Sequence, residues 1–366
     1  MIKRLIAALA LTLCAASAVA QAPAGVNAAA ISAERPPELL SAYRFFRDVG
    51  ARQPNERVTP YELNTALYSD GALKFRYVYI PPGQTARYNP DTVFEFPVGT
   101  VLIKTFAFAA DMARPTENVR FLETRLLIRR ANGWIALPYV WNETQTEARL
   151  SPIGADIPVS FADEDGAAVA FDWAVPNRNQ CKGCHDRAGE LVPIGPSARN
   201  LSSMPFPAGP HEILIVCSRE PCDGQLALWR RLGILDGGSS DAPRVPNAYD
   251  TEDGALAERA RAYLDVNCAH CHNPEGPAHT SGLDLRWSQH EPVQWGVLKR
   301  PVAAGRGSAG FDFAIDPGHP ERSILLYRME STDPGVMMPE LGRQRVDARG
   351  VALIREWIAG MDSDQP

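Results

Sequence analysis

Two short segments hold the residues of this chain that are best suited to bind a cofactor. The sequence has seven cysteines, and four of them form two Cys-x-x-Cys pairs, each followed directly by a histidine. The segments are NQCKGCHDRAG at 179–189 and NCAHCHNPEG at 267–276. Two thiols three residues apart, with an imidazole next to them, can bind a metal ion or form covalent bonds to a larger cofactor.

The pattern Cys-x-x-Cys-His is the attachment sequence of a c-type haem. Its two thiols form thioethers with the vinyl groups of the porphyrin, and the histidine coordinates the iron from one side. The sequence therefore predicts that the cofactors are two c-type haems. The attachment residues are Cys181 and Cys184 in the first motif and Cys268 and Cys271 in the second, with His185 and His272 as the iron ligands.

Other uses of paired cysteines fit the sequence less well. A zinc ribbon places its pairs about 15 to 20 residues apart, whereas 83 residues separate the two pairs of this chain. A thioredoxin-like redox pair requires an α/β context, but the predicted strands of this chain come before the predicted helices. A disulfide within each pair is compatible with export, although it does not explain the histidines. The metal and disulfide interpretations are kept as alternatives to the two haems.

The start of the chain predicts export. Residues 1–20 join a basic start to an apolar run and an Ala-x-Ala cleavage site, in the sequence MIKRLIAALALTLCAASAVA. This arrangement is typical of a secretory signal peptide, so the mature chain would begin near Gln21. No later segment reaches the roughly 18 apolar residues of a membrane span. We therefore expect a soluble periplasmic protein that has no membrane span.

The net charge of the chain narrows the range of possible partners. The formal net charge is -6, and the sequence contains no block of lysine and arginine. This composition argues against nucleic acid as a partner. The expected partners are redox proteins, which the sequence does not identify.

In an oxidising compartment, Cys217 and Cys222 most simply form a small disulfide.

The pattern of elements predicts four segments. These are a signal peptide at 1–20, a β-rich domain with a short N-terminal helix at 21–172, the first haem segment with a linker at 173–245, and the second haem domain at 246–366. The β-rich domain is predicted from β-branched and aromatic runs at 73–80, 92–96 and 99–108, and from a hairpin whose turn contains Ala131, Asn132 and Gly133.

Helices are predicted from apolar spacing and from capping residues. They lie at 37–49, at 223–235 with Asp223 as the cap, immediately before the second motif, and near the C-terminus with Asp347 as the cap. The first motif is expected in a loop-rich segment.

Residues 250–360 carry four features in a fixed order. A helix precedes the second motif, Gly276-Pro277 follows it, Met338 stands before a proline, and an amphipathic helix comes last. In this order the segment resembles class I cytochromes c. The resemblance implies Met338 as the sixth ligand of the second haem iron, with Met337 as the neighbouring alternative. It also implies a backbone carbonyl near Pro277 that accepts a hydrogen bond from the ring of His272.

The predicted fold class follows from this resemblance and from the strand pattern. It is an α+β multidomain protein with an N-terminal β-rich domain, a loop/helix segment that carries the first haem, and a C-terminal all-α class I cytochrome c-like domain. The sixth ligand of the first haem stays open. Met204, His211, an aromatic or lysine side chain of the β-rich domain, or no protein ligand at all are the alternatives. Lys104 interrupts an apolar strand and is interpreted as an edge or snorkelling lysine.

Longer stretches carry a wider resemblance. They include YELNTALYSDGALKFRYVYIPPG, FPVGTVLIKTF, NRNQCKGCHDRAGELVPIGPSARNL and RAYLDVNCAHCHNPEGPA. In these stretches the chain resembles a family of exported bacterial di-haem c-type cytochromes, which implies haem binding and electron transfer. Residues 73–190 also look like small exported β-sheet cytochromes that bind nitric oxide or oxidise hydroxylamine.

Three functions are therefore considered. The first is electron transfer through the two haems, without catalytic side chains. The second is a haem enzyme for peroxide or nitrogen-oxide and hydroxylamine chemistry, with an open site on the first haem. The third is a binding module in the β-rich domain, for which exposed aromatic side chains such as Trp134 or Trp141 would be the evidence.

The Met338→Ala variant tests the ligand assignment at the second haem. Removal of the thioether should leave the iron with an open position, so the reduced variant should bind carbon monoxide. Because methionine ligation raises the reduction potential, the potential of this haem should fall. The reduced spectrum with and without carbon monoxide and a potentiometric titration measure both effects, and an unchanged spectrum and potential would show that the assignment is wrong.

Overall fold

The computed structural model describes residues 25–201, 224–238, 243–302 and 304–362. These residues form 14 β-strands and seven α-helices. The strands are β1 Phe46–Asp48, β2 Gln53–Pro54, β3 Val58–Tyr61, β4 Leu73–Tyr79, β5 Ala86–Arg87, β6 Val101–Ala109, β7 Val119–Arg130, β8 Gly133–Trp141, β9 Ala148–Leu150, β10 Ala155–Ala162, β11 Ala168–Val175, β12 Asp186–Arg187, β13 Glu190–Leu191 and β14 Leu235–Asp236. The helices are α1 Ala28–Ser32, α2 Arg178–His185, α3 Gly224–Arg231, α4 Leu256–Asn267, α5 Pro292–Trp295, α6 Ile324–Glu330 and α7 Ala348–Ala359.

One antiparallel sheet organises the β-rich part of the chain. Its six strands lie in the order β3-β4-β6-β7-β8-β9. The strands predicted at 73–80 and 99–108 are confirmed as β4 and β6. The predicted hairpin is confirmed as well, because Arg130 pairs with Gly133 across a two-residue turn, and Gly133 has a φ of 123°. Glycine is suited to this positive φ since it has no side chain to clash.

Both faces of this sheet are covered, which explains the apolar character of the central strands. On one face, Tyr43, Leu126 and Tyr139 belong to a core that is closed by the segment before β1. On the other face, the β10–β11 hairpin packs Phe161 against Phe108, with ring centres 4.5 Å apart, and Trp173 against Phe106 at 5.3 Å. A sheet that is covered on both faces excludes water from the charged side chains that point into its packing.

Two local predictions in the β-rich part are wrong. The helix predicted at 37–49 is a 3-10 turn, Leu40–Tyr43, followed by strand β1. Arg44 adopts a φ of 55°, which ends the turn and lets Phe45 and Phe46 enter the core. The strand predicted at 92–96 forms only isolated bridges, from Val93 to Ser197 and from Arg87 to Glu95.

The helices near the second motif agree with their predictions. Helix α4 ends immediately before Cys268, and helix α7 has Asp347 as its N-cap, with the carboxylate accepting from the backbone N–H of Gly350 at 2.9 Å. Helix α3 lies within the helix predicted at 223–235, but its expected cap Asp223 is outside the described residues. Leu264, Leu326 and Ile354 bring α4, α6 and α7 together in one buried cluster.

The predicted fold class is wrong. The structure is rich in strands, and no C-terminal all-α class I cytochrome c-like domain is seen in the described residues. The four helices of the C-terminal part are separated by long segments of turns, and parallel bridges join Val297 to Ile315 and Phe313 to Ser323. The order of helix, motif, methionine and helix does not determine the fold, because it leaves the packing of the intervening glycine- and proline-rich segments unspecified.

A segment between β3 and β4 attaches the sheet to the C-terminal part. The Asn267 side chain accepts from the backbone N–H of Tyr68 at 2.7 Å. The Asp70 carboxylate accepts from the backbone N–H groups of Gln344 and Arg345, both at 2.7 Å. Asp70 is buried and has a φ of 53°. This attachment holds the loop around Met338 against the sheet.

None of the helices within the described ranges has the length and apolar content that crossing a membrane requires.

Replacement of Asp70 tests this attachment. Asp70→Ala removes the acceptor for two buried N–H groups, so the free energy of unfolding should fall by about 2–4 kcal/mol. Asp70→Asn is the matched control, because asparagine keeps an acceptor oxygen and tolerates positive φ. Chemical denaturation of the mature protein measures both variants. An alanine variant as stable as the asparagine variant would show that the two hydrogen bonds contribute nothing.

Candidate functional site

The first motif lies on a short helix, whereas a loop-rich segment was expected. Asn177 and Gln180 cap the start of α2 reciprocally, each side chain bonding the other residue's backbone N–H at 2.9 Å. Residues three and four apart share one face of a helix. The helix therefore presents Cys181, Cys184 and His185 together on one side.

The second motif begins where helix α4 ends. Cys268 is the C-cap of α4, and a turn then brings the N–H groups of Cys271 and His272 to the carbonyl of Cys268 at 3.1 and 2.9 Å. Gly276 follows closely, and a Cβ at this position would lie 2.3 Å from the Cys271 oxygen. Only glycine fits such a close approach. None of the four motif cysteines forms a disulfide with another described cysteine.

Each motif histidine is held by one ring nitrogen. The Nδ1 of His185 is 2.8 Å from the backbone oxygen of Val192. The Nδ1 of His272 is 2.9 Å from Ser281 Oγ, which itself donates to the Ala278 carbonyl at 2.7 Å. The acceptor for His272 is thus a hydroxyl, whereas a backbone carbonyl near Pro277 was expected. In both rings the bond at Nδ1 leaves Nε2 as the nitrogen for a metal, which is the usual arrangement of a ligating histidine.

Burial keeps these groups uncharged. It lowers the pKa of His185 and of His272 to about 4, so both imidazoles are neutral at pH 7. Burial also raises the pKa of the Cys268 and Cys271 thiols to about 12. A neutral imidazole is the form of histidine that binds iron.

A cavity of about 270 Å³ opens beside the first motif. It is lined from three sides: by Cys181, Cys184 and His185 on α2, by Lys104, Phe106 and Arg125 on the sheet, and by His270, Met329 and Met338 from the C-terminal part. The cavity therefore combines the first motif with residues of the six-stranded sheet and of the C-terminal part. It also contains the predicted ligand Met338, whereas Met337 is not among its lining residues.

Positive charges form a row along the sheet next to this cavity. Arg76 pairs with Lys104 across β4 and β6, and Lys104 pairs with Arg125 across β6 and β7. Like charges opposite one another destabilise a sheet. Burial, and next the charge of Arg76, lower the pKa of Lys104 well below its ordinary value. Lys104 has no ion pair with any described residue, so this row favours an anionic group in the cavity.

A buried carboxylate binds Arg125, which is at one end of this row of positive charges. Glu123 is fully buried and contacts Arg125 through both oxygens, at 2.6 and 2.8 Å. Trp173 donates its ring N–H to the same carboxylate at 2.8 Å. The pair fixes the Arg125 guanidinium, which also lies over the Phe106 ring at 4.4 Å. Arg125 is thereby oriented before any ligand binds.

Arg343 positions the Met338 loop. Its guanidinium donates to five backbone carbonyls, including those of Met338 at 3.1 Å and Ser331 at 2.8 Å. Arg328 also contacts this loop through the carbonyl of Val336 at 2.8 Å, and its charge acts on His272. The loop thus lies between the cavity of the first motif and the surroundings of His272. The assignment of Met338 to the second haem stays a prediction.

The two motifs are neighbours. After the first motif, Arg187 forms an ion pair of 2.5 Å with Glu275, which follows the second motif. The backbone N–H of Ala188 donates to the Glu275 carbonyl at 2.8 Å. Two motifs separated by 83 residues in sequence therefore lie next to each other.

The remaining candidate residues have no described role at this site. Met204, His211, Cys217 and Cys222 lie outside the described residues. His279 and His290 are exposed. Trp141 is buried in the sheet core, and Trp134 packs with Phe96 at 6.0 Å. The tryptophans therefore do not supply the exposed aromatic surface that a binding module would use.

Sequence reasoning missed the polar side chains that complete the site. Glu123, Arg125 and Arg343 were not singled out from the sequence, and no role in the site was assigned to His270. A usable signal was the presence of charged residues at inward positions of otherwise apolar strands, as at Lys104 and Glu123.

No protein-family model, curated protein or solved structure matches this chain. Within the described residues, no group of three or more histidine, cysteine, aspartate or glutamate side chains is arranged to hold a metal ion. The functional assignment therefore depends on the two motifs and on their surroundings.

Replacement of Glu123 tests the buried pair. Glu123→Ala leaves the Arg125 guanidinium and the Trp173 N–H without their acceptor, so the free energy of unfolding should fall by about 3–5 kcal/mol. Glu123→Gln keeps one acceptor oxygen and should lose less. Denaturant titration followed by tryptophan fluorescence compares the two variants. Equal stability of wild type and the alanine variant would contradict this role for Glu123.

Proposed function

We propose that this chain is an exported di-haem c-type cytochrome that transfers electrons between two covalently attached haems and a redox partner protein. Cys181 and Cys184 would attach the first haem, and Cys268 and Cys271 the second. His185 and His272 would be the iron ligands on one side of each haem. The observation that carries the proposal is the convergence of two complete Cys-x-x-Cys-His motifs on adjoining positions.

The residues at both motifs fit a covalently attached haem. The thiols are not consumed in disulfides with described cysteines. Each histidine has one ring nitrogen bonded and is neutral at pH 7, which suits iron ligation. The cavity beside the first motif joins an aromatic and aliphatic lining to Lys104 and Arg125. Haem has an apolar ring and two carboxylates, so this combination of surfaces is chemically matched to it.

Bound haem would supply one-electron iron chemistry, and the chain would control its surroundings. His185 and His272 are oriented through Val192 and Ser281, so their ring directions are set before loading. Arg125 is held by Glu123 and offers a fixed positive charge to a carboxylate. Adjoining motifs shorten the path between the cofactors, and electron transfer slows steeply with distance. The architecture therefore favours exchange between the haems.

A haem enzyme is the second candidate. Its specific support is Lys104, which lines the cavity of the first motif and whose pKa burial lowers well below the ordinary value. Such an amine could accept a proton from a small substrate. This function requires an open iron position on the first haem, whereas electron transfer does not.

A haem count with carbon monoxide tests the proposal. The exported protein, produced in cells that attach c-type haem, should contain two haems per chain in the pyridine haemochrome assay. Double serine variants at 181 and 184, or at 268 and 271, should each retain one haem. Carbon monoxide should leave the reduced spectrum of the wild type unchanged.

The results separate the candidates. A colourless protein, or one whose mass lacks covalent haem, would contradict both functions. Two haems with carbon monoxide bound at one of them would favour the enzyme over pure electron transfer.

A further inference from the structure

His270 is the third histidine of the region and lies between the two cysteines of the second motif. Although it belongs to that motif, its side chain lines the cavity beside the first motif, together with Cys184 and His185. The second motif therefore presents a side chain to the cofactor site of the first. No other residue of the second motif lines this cavity.

The hydrogen bonding of His270 differs from that of the other two histidines. His185 and His272 each have a partner at Nδ1. The Nδ1 of His270 is shielded from solvent and makes no hydrogen bond of normal geometry with the described residues, although the backbone of Val266 lies near the ring. The His270 ring thus lines the cavity without a strong hydrogen bond to the described protein groups, so that it is available to a cofactor.

The side chains of His185, Lys104 and His270 all line this cavity, so they surround the same space.

Two other cavity residues could compete for the same role. The Lys104 amine already lies 4.7 Å from the centre of the Phe106 ring, on the strand that forms the cavity wall. Met338 is tied through Arg328 to the surroundings of His272, which suits the second haem.

We infer that His270 is the iron ligand opposite His185 at the first haem, an inference that rests on the proposed function. The first haem is then held by two imidazoles and has no open position. Because Cys268 and Cys271 flank His270, the ligand of one haem belongs to the attachment loop of the other. The chain would thereby provide a short covalent path between the two cofactors.

The test uses the His270→Ala variant of the holoprotein, with His290→Ala as the control because His290 is exposed and is not among the residues that line the cavity. The pyridine haemochrome assay should still give two haems per chain in both variants. In His270→Ala, half of the haem should change from low-spin to high-spin by electron paramagnetic resonance and should bind carbon monoxide. Added imidazole should restore the low-spin signal, which a purely structural role would not allow.

A measurement on the wild type keeps the test independent of variant folding. The near-infrared charge-transfer band distinguishes bis-histidine from histidine–methionine and histidine–lysine ligation, and one haem should be bis-histidine. Absence of a bis-histidine haem, or loss of the low-spin signal in Lys104→Met but not in His270→Ala, would overturn the inference and leave the proposed function standing. Absence of haem from the wild type would overturn both.

Discussion

The packing of one Cys-x-x-Cys-His segment against another is the constraint on which the site depends. Helix α2 presents the first segment and the end of helix α4 presents the second, and the contacts of Glu275 with Arg187 and Ala188 join the turns that follow them. Each element is short, so neither could fix this geometry alone. The sheet beneath α2 and the loop held by Arg343 supply the remaining walls. A cofactor attached at either motif would therefore be adjacent to the other motif.

Charge is the second organising property of the site. Arg76, Lys104 and Arg125 lie side by side across three strands, with Glu62 and Glu123 as partners for the two arginines. Removing charges from water is costly unless each has a partner. Lys104 has no charge partner among the described residues. An anionic ligand would offset both the cost of burying Lys104 and its repulsion from the neighbouring arginines. A positive charge at Lys104 would therefore favour a ligand with carboxylates.

Sequence patterns predicted the local structure better than the global fold. The two motifs, the Asn132-Gly133 hairpin and the Asp347 cap depend on interactions within a few residues, so they could be recognised directly. The class I cytochrome c-like domain could not be inferred safely, because the spacing of Cys268, His272 and Met338 is compatible with more than one packing of the intervening turns. The positions of Glu123, Arg343 and His270 depend on contacts between residues distant in sequence. Such contacts leave no periodic signal in a single chain.

Peptide mapping of the mature, exported protein by mass spectrometry tests the central claim most directly. Proteolysis should yield one haem-bearing peptide that contains Cys181 and Cys184 and another that contains Cys268 and Cys271. If either peptide instead carries two free thiols or an internal disulfide, the account of two covalent haems in one joined site is contradicted.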